Sequence, residues 1–133
     1  TIDAVVAHGA GGITAMHDAT EGGIVGGLVE MATGAGVRLD VASEAAPLRP
    51  GVEAVCRAID VDPWRVTSAG SLLMTVAPGD ADAVVAALDE RGTPAAAIGT
   101  VTAGEGVFVD GERVTAPATD ASWAAMAELR DER

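Results

Sequence analysis

The stretch that decides the fold is residues 13–24, ITAMHDATEGGI. A short apolar run ends in polar side chains, two glycines follow, and an amphipathic helical pattern begins. This order predicts a strand that delivers the Asp18 carboxylate and the Thr20 hydroxyl to the N-terminus of a helix. Backbone N–H groups are unpaired at such an end and the helix dipole favours anions. A phosphate, or a metal ion that holds a phosphate, is therefore the expected ligand.

The same residues have a simpler explanation. Asp and Thr are both favoured helix caps, so Asp18 and Thr20, taken singly, are better explained as caps than as ligands. Taken together with His17, Glu21 and the Gly22-Gly23 pair, they support the cap and the ligand interpretations equally. In the ligand interpretation, Asp18 holds Mg²⁺ while the N–H groups of Gly22 and Gly23 contact phosphate oxygens.

The helix that follows has glycines at positions 22, 23, 26 and 27. Each glycine costs about 1 kcal/mol relative to alanine in a helix interior. Their four-residue spacing indicates faces against which a sheet, a second helix or a ligand packs closely.

A second candidate loop, residues 67–71 (TSAGS), precedes an apolar strand. Hydroxyl groups and a glycine at a strand entrance can line an anion or nucleotide pocket, but they are also ordinary turn residues. The residues alone leave both readings open. Strand alternation predicts that His17 shares a face with Ile13 and Ala15, opposite Met16 and Asp18. For His17, a packed and hydrogen-bonded role is favoured over a catalytic one.

Charge excludes several classes of function. The chain has 20 acidic residues against 8 basic ones, a formal net charge of -12, and no lysine. Without a basic patch it does not match a nucleic-acid-binding protein, and without lysine it has no Walker-type phosphate loop. High acidity suits a protein that works in concentrated salt, so we predict a halophilic source and unfolding at low salt.

Length and cysteine content set further bounds. The 133 residues, 49% of them apolar, predict one domain over residues 1–133. A lone cysteine, Cys56, excludes an intramolecular disulfide and is expected to be a buried thiol. No apolar run has the length of a membrane span and no signal-peptide pattern opens the chain, so we expect a cytoplasmic protein without a membrane partner.

Periodicity predicts helices at 2–8, 22–33, 51–59, 80–91 and 120–130, and strands at 13–17, 37–41, 72–77 and 96–101. A hairpin is predicted around Asp110-Gly111. In the last helix, Trp123, Met126 and Ala127 are predicted to face inward. Because strands and helices mix without strict alternation, the expected fold class is α+β, with helices layered on one mixed, largely antiparallel sheet.

Three segments carry a resemblance to a known family. Residues 16–32 (MHDATEGGIVGGLVEMA) resemble the C-terminal domain of the aminoimidazole ribonucleotide (AIR) synthetase-related family. Residues 67–73 (TSAGSLL) resemble a Ser-Gly-x-Leu-Leu segment of its selenophosphate synthetase and hydrogenase-maturation branches, and residues 97–101 (AIGTV) resemble a shared Ile-Gly-x-Val strand. The family also includes the purine-biosynthesis cyclase, formylglycinamidine synthase and thiamine-monophosphate kinase.

The resemblance implies an α+β domain with a partly ferredoxin-like topology, and ATP and Mg²⁺ as cofactors. Carried over residue by residue, the phosphate and nucleotide contacts fall on Asp18, Thr20, Gly22 and Gly23, with Asp18 also the metal ligand. The loop on the substrate side falls on Ser68, Ala69 and Gly70.

Family members place this domain behind an N-terminal domain that dimerises and supplies most of the ATP and magnesium site. We therefore expect a homodimer of the full-length protein, in which this domain forms one wall of the cleft where ATP activates or phosphorylates a small substrate. The isolated domain is not expected to be active. The alternative is a non-catalytic ligand-sensing or dimerisation module that retains the fold.

Overall fold

The computed structural model describes residues 1–131, with the side chains of the last helix described as far as Ala127. The helices are α1 (Ile2–Ala10), α2 (Gly23–Ala35), α3 (Val52–Ala58), α4 (Ala81–Asp89) and α5 (Ala121–Asp131). The strands are β1 (Ile13–Ala19), β2 (Arg38–Val41), β3 (Ser71–Val76), β4 (Gly99–Thr102), β5 (Gly106–Val109) and β6 (Glu112–Val114).

The strands form two sheets. β1 pairs with β3 in an antiparallel ribbon, and the other four strands follow the order β4-β2-β5-β6, in which only the β2–β5 pairing is parallel. The α+β class with mixed, largely antiparallel pairing is confirmed. The single sheet that we predicted is wrong, because α2 lies between the two sheets and contacts both β1 and β5.

Two apolar clusters hold these layers together. The larger one joins α2 to both sheets and includes Val25, Leu28, Leu39, Leu73 and Val107. The smaller one joins α1 and α4 to the other face of the β1–β3 ribbon and includes Ala7, Val84, Leu88, Met16 and Met74. The ribbon is therefore covered on both faces, by α2 on one and by α1 and α4 on the other.

A bulge in β1 changes which residues share a face. The pairing of β1 with β3 shifts between Ile13 and Ala15. Ile13 consequently packs with Met16 on the α1–α4 cluster, whereas His17 contacts Glu30 of α2. The prediction that Ile13 and His17 share a face is wrong, because an extra residue at a bulge reverses the alternation beyond it.

The predicted hairpin is present. Asp110 and Gly111 both have positive φ, 52° and 86°, and connect β5 to β6. Two consecutive residues of this conformation form the tight turn that matches the twist of paired strands.

Helix α5 faces the other way from our prediction. Trp123 and Met126 are 55% and 52% exposed, and Ala127 is also exposed, whereas Ala125 is buried. The prediction gave the inward face to the largest apolar side chains, but α5 instead packs through small residues. Within residues 1–131, no helix is long and apolar enough to cross a membrane.

Candidate functional site

The turn between β1 and α2 has a different start from the one predicted. β1 continues to Ala19, so Asp18 lies within the strand, paired with Leu72, and its side chain is exposed. The N-cap residue of α2 is Gly22, in the left-handed conformation (φ 76°). As a glycine it makes no side-chain hydrogen bond to the first turn of the helix. Neither Asp18 nor Thr20 is therefore the N-cap residue, and the capping interpretation of these two residues is wrong.

The helical glycines are explained by protein packing. Gly23 has φ 66°, and a Cβ there would overlap the Val66 carbonyl oxygen and lie 2.6 Å from that of Trp64. The Val25 N–H donates to the same Trp64 oxygen at 3.0 Å. At Gly27, a Cβ would lie 2.8 Å from Leu73 Cδ1 on β3. We predicted that a sheet, a second helix or a ligand packs against these glycines. At Gly27 the partner is a sheet strand, as predicted. At Gly23 it is the loop 64–66, which we did not predict.

The two candidate loops lie side by side. The Thr20 carbonyl oxygen accepts hydrogen bonds from the N–H of Gly23 at 3.1 Å and from that of Ser68 at 3.2 Å. The Ser68 hydroxyl donates to the Val66 carbonyl oxygen at 3.1 Å. The structure thus brings Thr20, Gly22, Gly23 and Ser68 together, although they are far apart in the chain. Ala69 and Gly70 follow on the exposed side of this loop.

A residue that the sequence analysis missed completes this arrangement. Asp120 Oδ2 accepts a hydrogen bond from the N–H of Gly22 at 2.9 Å, across 98 residues of sequence. Asp120 Oδ1 accepts bonds from the Ser122 N–H at 2.9 Å and the Ser122 hydroxyl at 2.5 Å. Asp120 is only 3% exposed. Its position before a predicted helix signals a cap, but nothing local signals its contact with Gly22. We call the turn 18–23, the loop 67–70 and Asp120 together the cradle.

The environment of Asp120 keeps it charged. Burial alone would raise the pKa of its carboxyl, but hydrogen bonds from the Ser122 hydroxyl and from the backbone of Gly22, Ser122 and Thr67 outweigh burial and hold that pKa below its ordinary value. At neutral pH the cradle therefore contains a carboxylate at the N-terminus of α2, where the helix dipole also favours negative charge.

A cavity of ≈ 220 Å³ lies beside the cradle, between the start of α2 and the segment 116–120. Glu21 and Glu30 both line it. Ligand pockets for molecules of nucleotide size are larger, about 300–1,000 Å³. By volume the cavity has room for a phosphate group or a few waters, but it does not enclose a nucleotide, and the carboxylates that line it oppose an anion that arrives without a cation.

Two further features concern the metal and His17. Among the residues that the structure describes, no group of three or more His, Cys, Asp and Glu side chains is placed to hold a metal ion. His17 Nε2 lies 2.7 Å from Glu30 Oε2, and His17 Nδ1 lies 2.8 Å from the Asp18 carbonyl oxygen. His17 is thus a hydrogen-bonded link between β1 and α2, in line with the favoured interpretation.

Comparisons with known proteins agree with this fold. The sequence profile of the family described as "AIR synthase related protein, C-terminal domain" matches residues 1–112. The carbamoyl dehydratase HypE of Rhizobium leguminosarum bv. viciae is 41% identical over 107 residues, which are 79% of this chain and 31% of that protein. The chain thus spans about a third of the length of this relative.

Solved structures give the same result. The crystal structure of Escherichia coli HypE, a hydrogenase maturation protein, superposes with a TM-score of 0.78 at 30% identity, covering 90% of this chain and 40% of that one. A HypE solved in complex with ATP superposes with a TM-score of 0.72 at 26% identity, covering 81% and 36%. The chain belongs to the AIR synthase-related family, whose C-terminal domain it matches over residues 1–112.

Proposed function

We propose that this chain is the C-terminal domain of an ATP- and Mg²⁺-dependent enzyme and forms one wall of its nucleotide and substrate cleft. The observation that carries this proposal is the meeting of two candidate loops at the start of α2, where the Ser68 N–H donates to the Thr20 carbonyl oxygen. Antiparallel pairing of β1 with β3 sets Ala19 opposite Ser71 and so brings both loops to the start of α2, where their hydroxyl groups and the helix N-terminus favour an anion.

In this proposal each residue of the cradle has a stated role. Phosphate oxygens of ATP accept a hydrogen bond from the Thr20 hydroxyl. They also accept from the N–H groups of Gly22 and Gly23 once these leave Asp120 Oδ2 and the Thr20 carbonyl oxygen. Asp18, exposed near the end of β1, is one ligand of Mg²⁺. Mg²⁺ in phosphate sites takes one or two carboxylates and completes its shell with phosphate oxygens and water, so a single carboxylate from this domain is sufficient.

The small cavity supports a shared site. At ≈ 220 Å³ it is too small for a nucleotide, which agrees with a cleft whose other wall is the N-terminal domain of the same protein. In this proposal the full-length protein is a homodimer. The substrate contacts the exposed loop of Ser68, Ala69 and Gly70.

For the substrate, we favour a small carboxamide. HypE relatives are named carbamoyl dehydratases, which points to a carboxamide whose oxygen is lost. Attack of that oxygen on the γ-phosphorus of ATP would form a C–O–P bond, break the P–O bond to ADP and release one N–H proton. Departure of the phosphate with the second N–H proton would then leave a C≡N bond. Direct phosphorylation of a small substrate is the other reaction that this cleft would support.

A non-catalytic module is the second candidate, and one observation favours it. The Gly22 N–H, which the enzyme needs for a phosphate, already donates to Asp120. A ligand-sensing or dimerisation domain that keeps the fold would need no free donor at this position.

Substitution of Asp18 in the full-length protein tests the proposal. Asp18→Ala is expected to abolish Mg²⁺-dependent ATP turnover, measured as phosphate or nucleotide release. Asp89→Ala removes an exposed carboxylate at the end of α4 and is the matched control, expected to retain turnover. Unchanged activity of Asp18→Ala would defeat the metal assignment. A tight complex of ATP with the 133-residue chain alone, seen by calorimetry, would argue against a shared cleft.

A further inference from the structure

The Asp120 carboxylate occupies the position that the proposed function gives to a phosphate. Oδ2 takes the Gly22 N–H at the start of α2, and the Thr67 backbone also faces this carboxyl group. The turn that opens α2 therefore directs a backbone donor at a negatively charged group, and the loop 67–70 lies next to that turn. That group belongs to a segment about fifty residues beyond the later loop.

Ordinary helix capping explains only half of this contact. Oδ1 receives the Ser122 N–H and hydroxyl, which is the usual role of an aspartate at the start of its own helix. Oδ2 instead points away from α5 and accepts the Gly22 N–H at the start of α2. One carboxylate thus accepts hydrogen bonds from two helix N-termini, and only 3% of its residue surface is exposed.

The segment before Asp120 also covers the cradle. A Cβ at Gly22 would lie 3.1 Å from Pro117 Cγ, so the 117–120 segment passes directly over this turn. In the part of α5 whose side chains the structure describes, residues 121–127, Trp123 and Met126 are more than half exposed and Ala125 is buried. Just before this part of α5, Asp120 donates no proton but accepts the Gly22 N–H, and so ties the start of the helix to the turn 18–23.

We infer that Asp120 is a built-in competitor for the oxyanion: its carboxylate holds the cradle closed in the free protein, and a phosphate gains the Gly22 N–H only when the 117–120 segment withdraws. This inference rests on the proposed function, since it needs a phosphate to bind there. Two anions cannot share one set of donors without strong repulsion. Phosphate binding then requires release of Asp120. The apparent affinity equals the intrinsic affinity multiplied by the fraction of molecules in which Asp120 has withdrawn.

The test is an NMR titration of the full-length protein with Mg²⁺ and ATP, following the Gly22 and Thr67 amides. Asp120→Asn is expected to bind ATP about 5- to 10-fold more tightly than the original chain, because the open fraction rises. Asp110→Asn is the matched control. It makes the same change in charge and also loses hydrogen bonds, to Ser43, but lies in the β5–β6 turn, so its affinity should equal that of the original chain.

Each result decides between the alternatives. If Asp120→Asn binds ATP no more tightly while its Gly22 amide exchanges faster with solvent, Asp120 is only a structural tie and the competitor role is overturned. If ATP moves the Gly22 amide in neither chain, the proposed phosphate site fails as well.

A second measurement avoids dependence on a variant that could unfold. In the original chain, saturating ATP is expected to move the ¹³C signal of the Asp120 carboxyl and to speed hydrogen exchange along α5. ATP binding at the Gly22 amide with an unmoved Asp120 signal would overturn the inference.

Discussion

Asp110 and Asp120 make nearly the same hydrogen bonds in very different surroundings. Asp110, in the β5–β6 turn, accepts bonds from the Ser43 N–H at 2.9 Å and the Ser43 hydroxyl at 2.6 Å. Asp120 accepts the Gly22 N–H at 2.9 Å and two bonds from Ser122. Asp110 is exposed and Asp120 is buried. Hydrogen-bond geometry alone therefore does not separate a structural turn from a candidate site; burial and the converging backbone donors do.

The largest expected effect is a loss of stability on substitution of Gly23, in the cradle. Gly23→Ala should lower the free energy of unfolding by about 3 kcal/mol or more, because the residue has φ 66° and its new Cβ would overlap the Val66 carbonyl oxygen. Urea denaturation of the 133-residue chain measures this loss. Gly34→Ala is the control in the same helix: no atom lies within 4 Å of its Cβ position, and a gain of about 0.5–1 kcal/mol is expected. Equal effects of the two changes would contradict the close packing at the start of α2.

The sequence predicts these two regions unequally. The hairpin follows from local chemistry, since Asp110-Gly111 between two short apolar strands is sufficient to specify the turn. Half of the cradle was predictable in the same way, because residues 13–24 and 67–71 carry local signals. Asp120 was not, since its partner Gly22 is 98 residues away and no local pattern encodes that distance.

Two other errors have physical causes of the same kind. The bulge after Ile13 inserts a residue into β1, and nothing in the apolar pattern marks it. In α5, the assumption that large apolar side chains face inward failed because the buried Asp120 and small Ala125 set the orientation of the helix. Tertiary contacts decided both outcomes. The fold class depends on the summed pattern of many residues and was therefore predictable.

The pH dependence of stability separates the two aspartates next. The pKa of Asp120 is lowered in the folded protein, so its contribution is complete above the ordinary aspartate pKa and is lost as pH falls through the lower folded value. Asp120→Asn should therefore cost about 1–3 kcal/mol near pH 6, and this gap should shrink below about pH 4. Urea denaturation from pH 3 to pH 6 measures it.

The Asp110 variant sharpens this measurement. Hydrogen bonds from Ser43 also lower the pKa of Asp110, so the pH dependence has the same sign. Because Asp110 is exposed, water can replace those bonds. Asp110→Asn should therefore lower the free energy of unfolding by less than Asp120→Asn does, at every pH. Equal gaps for the two variants would show that burial of Asp120 adds nothing to its hydrogen bonds.

The smallest expected effect distinguishes backbone strain from packing. Gly111 has φ 86° but no atom within 4 Å of a Cβ position, so Gly111→Ala should cost about 1 kcal/mol from conformation alone. Gly111→Asn should recover most of that loss, because asparagine tolerates the left-handed region. At Gly23 the same asparagine should give no recovery, since its Cβ meets the Val66 carbonyl oxygen whatever the side chain beyond it. Recovery at Gly111 combined with none at Gly23 would show that the hairpin is specified by local conformation and the cradle by contacts between distant segments. Recovery at both positions would mean that the loop 64–66 yields easily, and the cradle would then be no more rigid than a surface turn.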